Sequence, residues 1–440
     1  MSIDVLLIQP PTLKCKRFTF NLGVSVPPTM LIHLAQPLLE KGFSADILDL
    51  DNYQIDGSHF KHYVEISRPA VVGITCTTAT FSEALKTAAY VKSVDPHIKV
   101  VLGGPHVTFT APETLANDCV DVVVRGEGDM NFPQLVEHYL RGKYSLAEIP
   151  GISYRRNGEI KENPRKIIAD IDTLPFPRRQ TIDLTRYSIP GTIVASRGCP
   201  FSCRFCASSA MAGGKYRIRS VENIMAEIDY LVTTFGINQL AFLDDTVTAY
   251  PHITQSLCRH LLERDYRIRW LCDSRVDQVD ADLIRLMARA GCSAMVFGFE
   301  SGSQRVLSTM KKGTTPQQIE DTVSICIDAG ILPLGNFLIG FPEDTAESIN
   351  ETVQMAKKIK RKGSCAAIGV VTPFPGTYYY NHAKEMGITI HATTWDDYAM
   401  GHPIISTEHF TLDEIQGFLF DALAELDEIQ SPASGGQNPF

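Results

Sequence analysis

Two successive series of short apolar strands, separated by helix-length amphipathic stretches, are the strongest constraint on the fold of this 440-residue chain. The first series ends near residue 141 and contains DVLLIQ, ADILDL, VVGITC, KVVLGG and DVVVRG. Strands rich in Val, Ile and Leu that are joined by helices are typical of parallel sheets buried on both faces. Residues 1–145 are therefore predicted to form a doubly wound α/β domain.

The carboxyl ends of these strands are the expected ligand site, as in other open parallel sheets. Small and hydroxyl-bearing residues occupy those ends, and glycines there would let a large ligand approach the backbone. The candidates are Pro10, Thr75, Thr77, Thr78, Gly103, Gly104, Pro105, His106, Gly126, Glu127 and Gly128. Tight turns without a ligand are the alternative explanation of this pattern.

A second series of strand–helix units begins at TIVAS and continues with QLAFLDD, IRWLCDS, SAMVFGFE, LGNFLIG and AIGVVTP. Six such units in series predict an open or partial (β/α)6 barrel over residues 191–390, with function at the carboxyl ends of its strands. Residues 146–190 contain the hairpin signal Asn157-Gly158 and many prolines, and they are predicted to be a linker. A helical extension over 391–430 and a disordered tail over 431–440 complete the chain.

The stretch SRGCPFSCRFC places Cys199, Cys203 and Cys206 in one loop directly after the first strand of the second series. An iron–sulfur cluster normally takes four cysteines, so three thiolates would leave one iron open to a substrate or cofactor. Zinc is the alternative, and it would need a distant fourth ligand. A chance grouping of thiols explains the interleaved glycine and proline poorly. The spacing favours an iron–sulfur cluster.

Charge and cysteine usage limit the partners and the compartment. A net charge of -9 and a pI near 5.8 give no electrostatic footprint for a nucleic-acid backbone. No apolar run approaches the roughly 18 residues of a membrane span, and MSIDVLLIQPP is too short and too acidic for a signal peptide. Most of the eleven cysteines lie in apolar runs, which is typical of buried thiols in a reducing compartment. A cytoplasmic protein without membrane or nucleic-acid partners is predicted.

The cysteine loop carries a resemblance to a known family. CPFSCRFC resembles the cluster loop of the radical S-adenosylmethionine (radical SAM) superfamily. GGPHVTFTAPETLANDCVDVVVRGEGD and DIDTLPFPRR resemble its cobalamin-binding branch, and AFLDDTVT, CDSRVD, FGFESGSQRVL, GNFLIGFPEDT and TPFPGT resemble the barrel of that branch in order. The resemblance covers most of residues 1–390. It implies a flavodoxin-like, doubly wound cobalamin-binding domain followed by a partial (β/α)6 barrel of the TIM type.

The resemblance implies three cofactors and assigns residues to them. Cys199, Cys203 and Cys206 would hold a 4Fe–4S cluster, S-adenosylmethionine would bind its open iron, and cobalamin would bind the strand ends of the first domain. The implied S-adenosylmethionine-binding residues are Phe205, Asp244, Asp245, Ser274, Arg275, Glu300 and Gly340. Adjacent side chains of a strand point to opposite faces, so only one of the two aspartates is expected to contact the cofactor. No catalytic side chain is assigned, because the cofactors carry the radical chemistry.

The implied activity is C-methylation of an unactivated carbon, through a 5′-deoxyadenosyl radical and methylcobalamin. The partners would be a small molecule, of secondary metabolism, and an electron donor such as flavodoxin or ferredoxin. Cyclisation or rearrangement with the same cofactors is one alternative, and a cobalamin-binding sensor with an inactive barrel is another. A tRNA methylthiotransferase would need three further cysteines, and Cys76 and Cys119 lie in unsuitable sequence contexts.

Anaerobic reconstitution is expected to give about four irons per chain, because one three-cysteine loop holds a single cubane cluster. Chemical iron analysis measures this number, and an optical spectrum of the same sample tests for iron–sulfur and cobalamin bands together. About eight irons per chain would indicate two clusters and would support the methylthiotransferase alternative.

Overall fold

The computed structural model describes residues 2–12, 24–53, 57–264, 266–398 and 401–429. The tail predicted over 431–440 lies outside the described residues. None of the helices in these ranges is long and apolar enough to cross a membrane.

A seven-stranded sheet in the order β2-β1-β3-β4-β5-β6-β7 forms the first domain. Its strands are β1 (Val5–Gln9), β2 (Ala45–Asp49), β3 (Val71–Thr75), β4 (Lys99–Gly103), β5 (Val122–Val124), β6 (Ile152–Arg156) and β7 (Glu159–Glu162). Its helices are α1 (Thr29–Glu40), α2 (Leu50–Tyr53), α3 (Gly57–Ser67), α4 (Phe81–Val94), α5 (Pro105–Phe109), α6 (Ala111–Leu115) and α7 (Asn131–Arg141). Strands β1 to β5 are parallel, and their order 2-1-3-4-5 is that of flavodoxin-like folds, which confirms the predicted fold class.

The hairpin signal in the linker forms the turn between β6 and β7. Asn157 and Gly158 have φ values of 52° and 79°, and positive φ at both central residues is the mark of a type I′ turn. Strand β6 pairs antiparallel with β5, so this hairpin extends the first sheet. The domain limits at residues 145 and 190 stay predictions.

Six parallel strands in the order β8-β11-β12-β13-β14-β15 form the partial barrel that the sequence predicts. They are β8 (Gly191–Ile193), β11 (Gln239–Phe242), β12 (Arg269–Ser274), β13 (Cys292–Glu300), β14 (Leu332–Ile339) and β15 (Cys365–Val370). Two short antiparallel ladders join β9 (Ser196–Arg197) to β10 (Arg217–Ile218) and β16 (Thr389–Ile390) to β17 (Ile405–Ser406). The β9–β10 ladder closes the base of the loop that carries the three cysteines.

The described residues of this half also form nine helices. They are α8 (Ser208–Met211), α9 (Val221–Phe235), α10 (Pro251–Glu263), α11 (Ala281–Arg289), α12 (Gln304–Thr309), α13 (Pro316–Asp328), α14 (Ala346–Lys362), α15 (Tyr378–Asn381) and α16 (Leu412–Asp427). Local sequence sets several helix starts: Asp280 accepts a hydrogen bond from the Leu283 amide at 2.8 Å, and Thr315 forms a capping box with Gln318. Trp270 and Phe242 are buried between strands and helices, so these faces of the strands form the core.

The segment after the barrel contacts both halves of the molecule. Helix α16 packs on α14, where Lys357 Nζ lies 2.5 Å from Glu425 Oε2. Trp395 lies against the first domain and donates its indole N–H to Glu113 Oε1 at 2.5 Å. The C-terminal extension therefore braces the barrel on one side and the first domain on the other.

Substitution of Gly291 tests how strongly close packing at a positive-φ position affects the stability of this fold. Its φ is +94°, and a Cβ there would lie 2.0 Å from the Ile268 backbone oxygen. Gly236 also has a positive φ, of +66°, but a Cβ there would meet nothing within 4 Å. Gly291→Ala should therefore lower the free energy of unfolding by about 1–3 kcal/mol more than Gly236→Ala. Urea unfolding of both variants measures the difference, and equal losses would contradict the packing argument.

Candidate cofactor site between the two domains

The three cysteines lie in a loop that the rest of the barrel holds in place. The Arg204 amide donates to the Met310 carbonyl at 3.0 Å, and the Ser208 amide donates to Cys206 Sγ at 3.4 Å. Cys199 and Cys203 are half-buried and Cys206 is exposed, and burial raises the pKa of the first two thiols. In the described parts of the chain, no three His, Cys, Asp or Glu side chains are placed to hold one metal ion. A cubane does not need such convergence, because each cysteine binds a different iron.

Arg275, at the end of β12, lies directly beside this loop. Its Nη1 is 3.5 Å from Cys203 Sγ, and its Nε and Nη2 donate to the Asp277 carboxylate at 2.9 and 2.8 Å. A further N–H donates to the Lys312 carbonyl, and the guanidinium stacks 3.8 Å over the ring of Phe201. Cations near a thiol favour its thiolate form, so Arg275 supports metal binding by Cys203. These contacts make it a positioning residue for the loop as well as a candidate cofactor ligand.

Glu300 ends β13 in a strained conformation that the sequence does not reveal. Its φ is +64°, and the register with β14 shifts between Gly298 and Glu300. Its Oε1 accepts a hydrogen bond from Lys312 Nζ at 2.9 Å, and both side chains are buried. A Cβ at Gly298 would lie 2.2 Å from Glu300 Oε1, so only glycine leaves room for this ion pair. Lys312 also lies 5.6 Å from the ring centre of Phe205, which brings the pair to the cysteine loop.

The two adjacent aspartates after β11 have different surroundings. Asp244 is buried and accepts hydrogen bonds from the Ala195 amide and the Ser196 hydroxyl, and burial raises the pKa of its carboxyl to about 6. Asp245 is exposed, lines the cavity described below, and accepts from Ser208 Oγ at 2.7 Å. Asp245 is therefore the one available to a cofactor, while Asp244 secures the strand before the cysteine loop.

The remaining predicted S-adenosylmethionine residues show packing contacts. Ser274 Oγ is buried against Thr248 Oγ1 at 2.6 Å. Phe205 packs edge-on against Phe341 with ring centres 6.0 Å apart. Gly340 has a φ of +81°, and a Cβ there would meet Ile415 of α16 at 3.0 Å. At Gly340 the backbone conformation and the neighbouring helix thus already explain the glycine.

A cavity of about 620 Å³ separates the carboxyl ends of the two parallel sheets. All of the predicted cobalamin-binding residues except Pro10 line it. From the barrel, Gly198, Ser208 and Asp245 line the opposite side, together with the apolar side chains of Val194, Leu243 and Phe374. The cavity therefore joins the predicted cobalamin site to the cysteine loop. Pro10 is buried directly after β1 and is not one of the lining residues.

Gly104 and His106 show how the first domain shapes this cavity. Gly104 has a φ of +107°, and a Cβ there would lie 2.6 Å from the Cys76 carbonyl oxygen. His106 is buried, with Nδ1 3.1 Å from Thr78 Oγ1, and burial lowers the pKa of its imidazole to about 4. Its Nε2 has no hydrogen-bond partner among the described residues. A glycine cradle and a neutral histidine with a free ring nitrogen fit a large ligand that offers polar groups, as cobalamin does.

Several residues of the site escape prediction from sequence. Lys312 and Asp129 lie in loops, and their ion-pair partners, Glu300 and Arg197, are 12 and 68 positions away along the chain. Trp395 packs on His106 of the first domain with ring centres 4.6 Å apart. Asp273 alternates along β12 with the buried Cys272 and Ser274 and so lies on the opposite face of the strand from them, where desolvation and then the nearby Asp245 and Asp244 raise the pKa of its carboxyl to about 7. The alternation in RWLCDS is the one signal that could have singled out Asp273.

Comparison with known families agrees with both halves of this site. Residues 18–136 match the model of the B12 binding domain, and residues 193–356 match that of the radical SAM superfamily. The two matched regions hold the cavity-lining strand ends and the three cysteines.

Individual proteins extend the similarity over nearly the whole chain. The chain is 34% identical over 424 residues to an uncharacterized methyltransferase of Pyrococcus horikoshii. This alignment covers 95% of this chain and 91% of the relative. It is 28% identical to the anaerobic magnesium-protoporphyrin IX monomethyl ester cyclase of Rubrivivax gelatinosus, over 88% of this chain and 71% of the cyclase. Among solved structures, the radical S-adenosylmethionine methyltransferase TsrM of Kitasatospora setae, with cobalamin and a [4Fe-4S] cluster bound, matches with a TM-score of 0.77 and 19% identity. That match covers 99% of this chain and 90% of TsrM and supports the same fold.

Arg275→Gln tests whether this arginine positions the cluster loop. The variant should change the electron paramagnetic resonance (EPR) spectrum of the reduced cluster before S-adenosylmethionine is added, because the contact with Cys203 is lost. It should also weaken S-adenosylmethionine binding about tenfold or more, since a hydrogen bond to a charged group contributes about 1.5–3 kcal/mol. Arg285→Gln, which removes an exposed arginine on α11, is the control. If the cluster spectrum is unchanged and only S-adenosylmethionine binding is weaker, Arg275 acts as a cofactor ligand and does not position the loop.

Proposed function

Because the chain belongs to the cobalamin-binding radical S-adenosylmethionine enzymes, we propose that it is a C-methyltransferase acting on an unactivated carbon of a small molecule. The observation that carries the proposal is a cavity lined on one side by the predicted cobalamin-binding strand ends and on the other by residues of the loop that bears the three cysteines. A methyl donor at the first domain and a radical source at the barrel would then face the same substrate. The methyltransferase name of the relative from Pyrococcus horikoshii supports this reading.

The protein's part in the reaction is to hold the cysteine loop in position and to shield the reacting radical. When bound, S-adenosylmethionine on the cluster supplies a carbon-centred radical, and cobalamin supplies the methyl group. Arg275 and the Glu300–Lys312 pair hold the cysteine loop against the barrel. Asp245 offers a carboxylate at the edge of that loop. The apolar side chains of Val194, Leu243 and Phe374 line the space in which a radical would react and would limit its contact with water.

The proposal extends to the partners and the roles of individual residues. The substrate would be a compound of secondary metabolism, and reduced flavodoxin or ferredoxin would deliver the electron at the loop where Cys206 is exposed. A cytoplasmic location agrees with the free thiols of all the cysteines that the structure describes. The same proposal includes the cofactor roles of the residues named above and the domain limits predicted from the sequence.

Cyclisation without methyl transfer is the second candidate function. The relative from Rubrivivax gelatinosus is named as a cyclase and shares 28% identity over 88% of this chain. The same cavity and cofactors would serve such a reaction, so only the fate of the methyl group separates the two candidates.

Incubation with S-adenosylmethionine labelled in its methyl group decides between them. The reconstituted, reduced protein is supplied with hydroxocobalamin and a small-molecule extract of the source organism. We expect label in a new small molecule together with 5′-deoxyadenosine, both measured by mass spectrometry. Cys203→Ala should abolish both products, and Cys365→Ala, which changes a thiol outside the loop, should abolish neither. A new product without label, formed with 5′-deoxyadenosine, would favour cyclisation and contradict methyl transfer.

A further inference from the structure

Two arginines stand side by side at the base of the cysteine loop. Arg197 of β9 pairs with Arg217 of β10 in the antiparallel ladder, and the two strands enclose residues 198–216 with all three cysteines. Both arginines are buried. Like charges in neighbouring positions of a ladder repel each other, so each needs a nearby anion.

The anions come from the other domain. Arg197 forms a bidentate pair with Asp129, with Nη1–Oδ2 and Nη2–Oδ1 distances of 2.6 and 2.8 Å. Arg217 Nη2 lies 2.6 Å from Glu127 Oε1, and its Nη1 lies 2.9 Å from Oε2. The side chains of the first pair are each 8% exposed, and those of the second are 8% and 12% exposed. The Arg197–Asp129 pair is bidentate and fixes geometry as well as charge, whereas Arg217 is joined to Glu127 by an ion pair with one hydrogen bond, from Nη1.

The two carboxylates belong to one short loop, residues 126–129, which follows β5. Every residue of this loop lines the cavity between the domains, whereas Arg217 does not line it. The Glu127 carboxylate also accepts from the Ile168 amide at 3.2 Å, and Arg217 Nη1 donates to the Ile168 carbonyl at 2.8 Å. One loop thus touches the predicted cobalamin site on one side and the base of the cluster loop on the other.

We propose that Glu127 and Asp129 are positioning residues that couple occupancy of the cobalamin cavity to the order of the cluster loop. A ligand that fixes residues 126–129 also fixes Arg197 and Arg217, and through them residues 198–216. Coupling between two sites is reciprocal, so a change at the base of the cluster loop must also change the affinity for the corrinoid. The proposal depends on the two cofactor sites and not on methyl transfer.

Hydrogen exchange of the reconstituted full-length protein tests the first direction of this coupling. Hydroxocobalamin should slow amide exchange in residues 198–216 of the wild type. Arg217→Gln should remove most of that slowing, although Arg217 lies outside the cavity lining. If hydroxocobalamin leaves exchange in residues 198–216 of the wild type unchanged, the proposal is wrong.

Corrinoid titration, followed by absorbance, tests the reverse direction. Arg217→Gln and Glu127→Gln should each raise the Kd for hydroxocobalamin about fivefold or more. The double variant should bind no more weakly than the weaker single variant, because the two residues act as one pair. Asp121→Asn is the matched control: it breaks a 2.7 Å ion pair with Lys92 inside the first domain. If Asp121→Asn loses as much affinity for hydroxocobalamin, general destabilisation explains the effect and the proposal is wrong.

The cluster itself provides a readout that a purely structural role would not change. Asp129→Asn should keep its iron content while altering the EPR spectrum of the reduced cluster with S-adenosylmethionine. Asp129→Glu, which retains the charge, should restore the wild-type spectrum in part. Where Arg217→Gln yields no folded protein, Arg217→Lys carries the same titration, since lysine keeps the charge but lacks the planar guanidinium that meets both Glu127 oxygens. Wild-type affinity in Arg217→Lys together with a wild-type spectrum in Asp129→Asn would contradict the proposal.

Discussion

The buried ion pair between Asp129 and Arg197 is the interaction on which the functional geometry of this chain depends. Each partner would be an uncompensated buried charge without the other, and removal of one partner from such a pair is strongly unfavourable. Replacement of both by apolar residues is often neutral, so the main consequence of the pair is orientation rather than stability. Asp129 and Arg197 belong to different domains, and the docking of the two sheets brings them within 2.6–2.8 Å of each other. That docking places both sets of strand ends on one cavity.

Within this frame the site is built from backbone and packing more than from reactive side chains. Gly104 brings the chain close to the Cys76 carbonyl, and His106 is held neutral between aromatic rings. On the barrel side, burial raises the pKa of the Cys203 thiol, and the positive charges of Lys312 and Arg275 offset part of that rise. No acid–base pair is required of the protein, because the cofactors of this family carry the chemistry. The chain contributes fixed positions and a cavity whose lining is mostly apolar.

Local patterns explain what the sequence could predict. Strand runs, the Asn157-Gly158 turn and the cysteine spacing are each set by a few neighbouring residues, and the parallel topology then brings the strand ends together. The hairpin's pairing with β5 was not visible, because it depends on residues 28 to 32 positions apart. The positive φ of Glu300 was equally hidden, since it accompanies a register shift against β14 that depends on residues distant in the chain.

Arg275 illustrates why a family resemblance does not settle a residue's role. A guanidinium has five N–H donors, and four hydrogen bonds already join this one to Asp277, the Lys312 carbonyl and Cys203. One N–H therefore remains without a partner among the described residues, too few for a new bidentate contact. A carboxylate that approached Arg275 would either accept that single bond or displace Asp277 and loosen the cysteine loop. Acceptance of that single N–H bond leaves the cysteine loop in place. A donor that is already positioned stabilises charge more effectively than one that must first reorganise. Arg275 is thus built to orient Cys203 first and to meet a cofactor second.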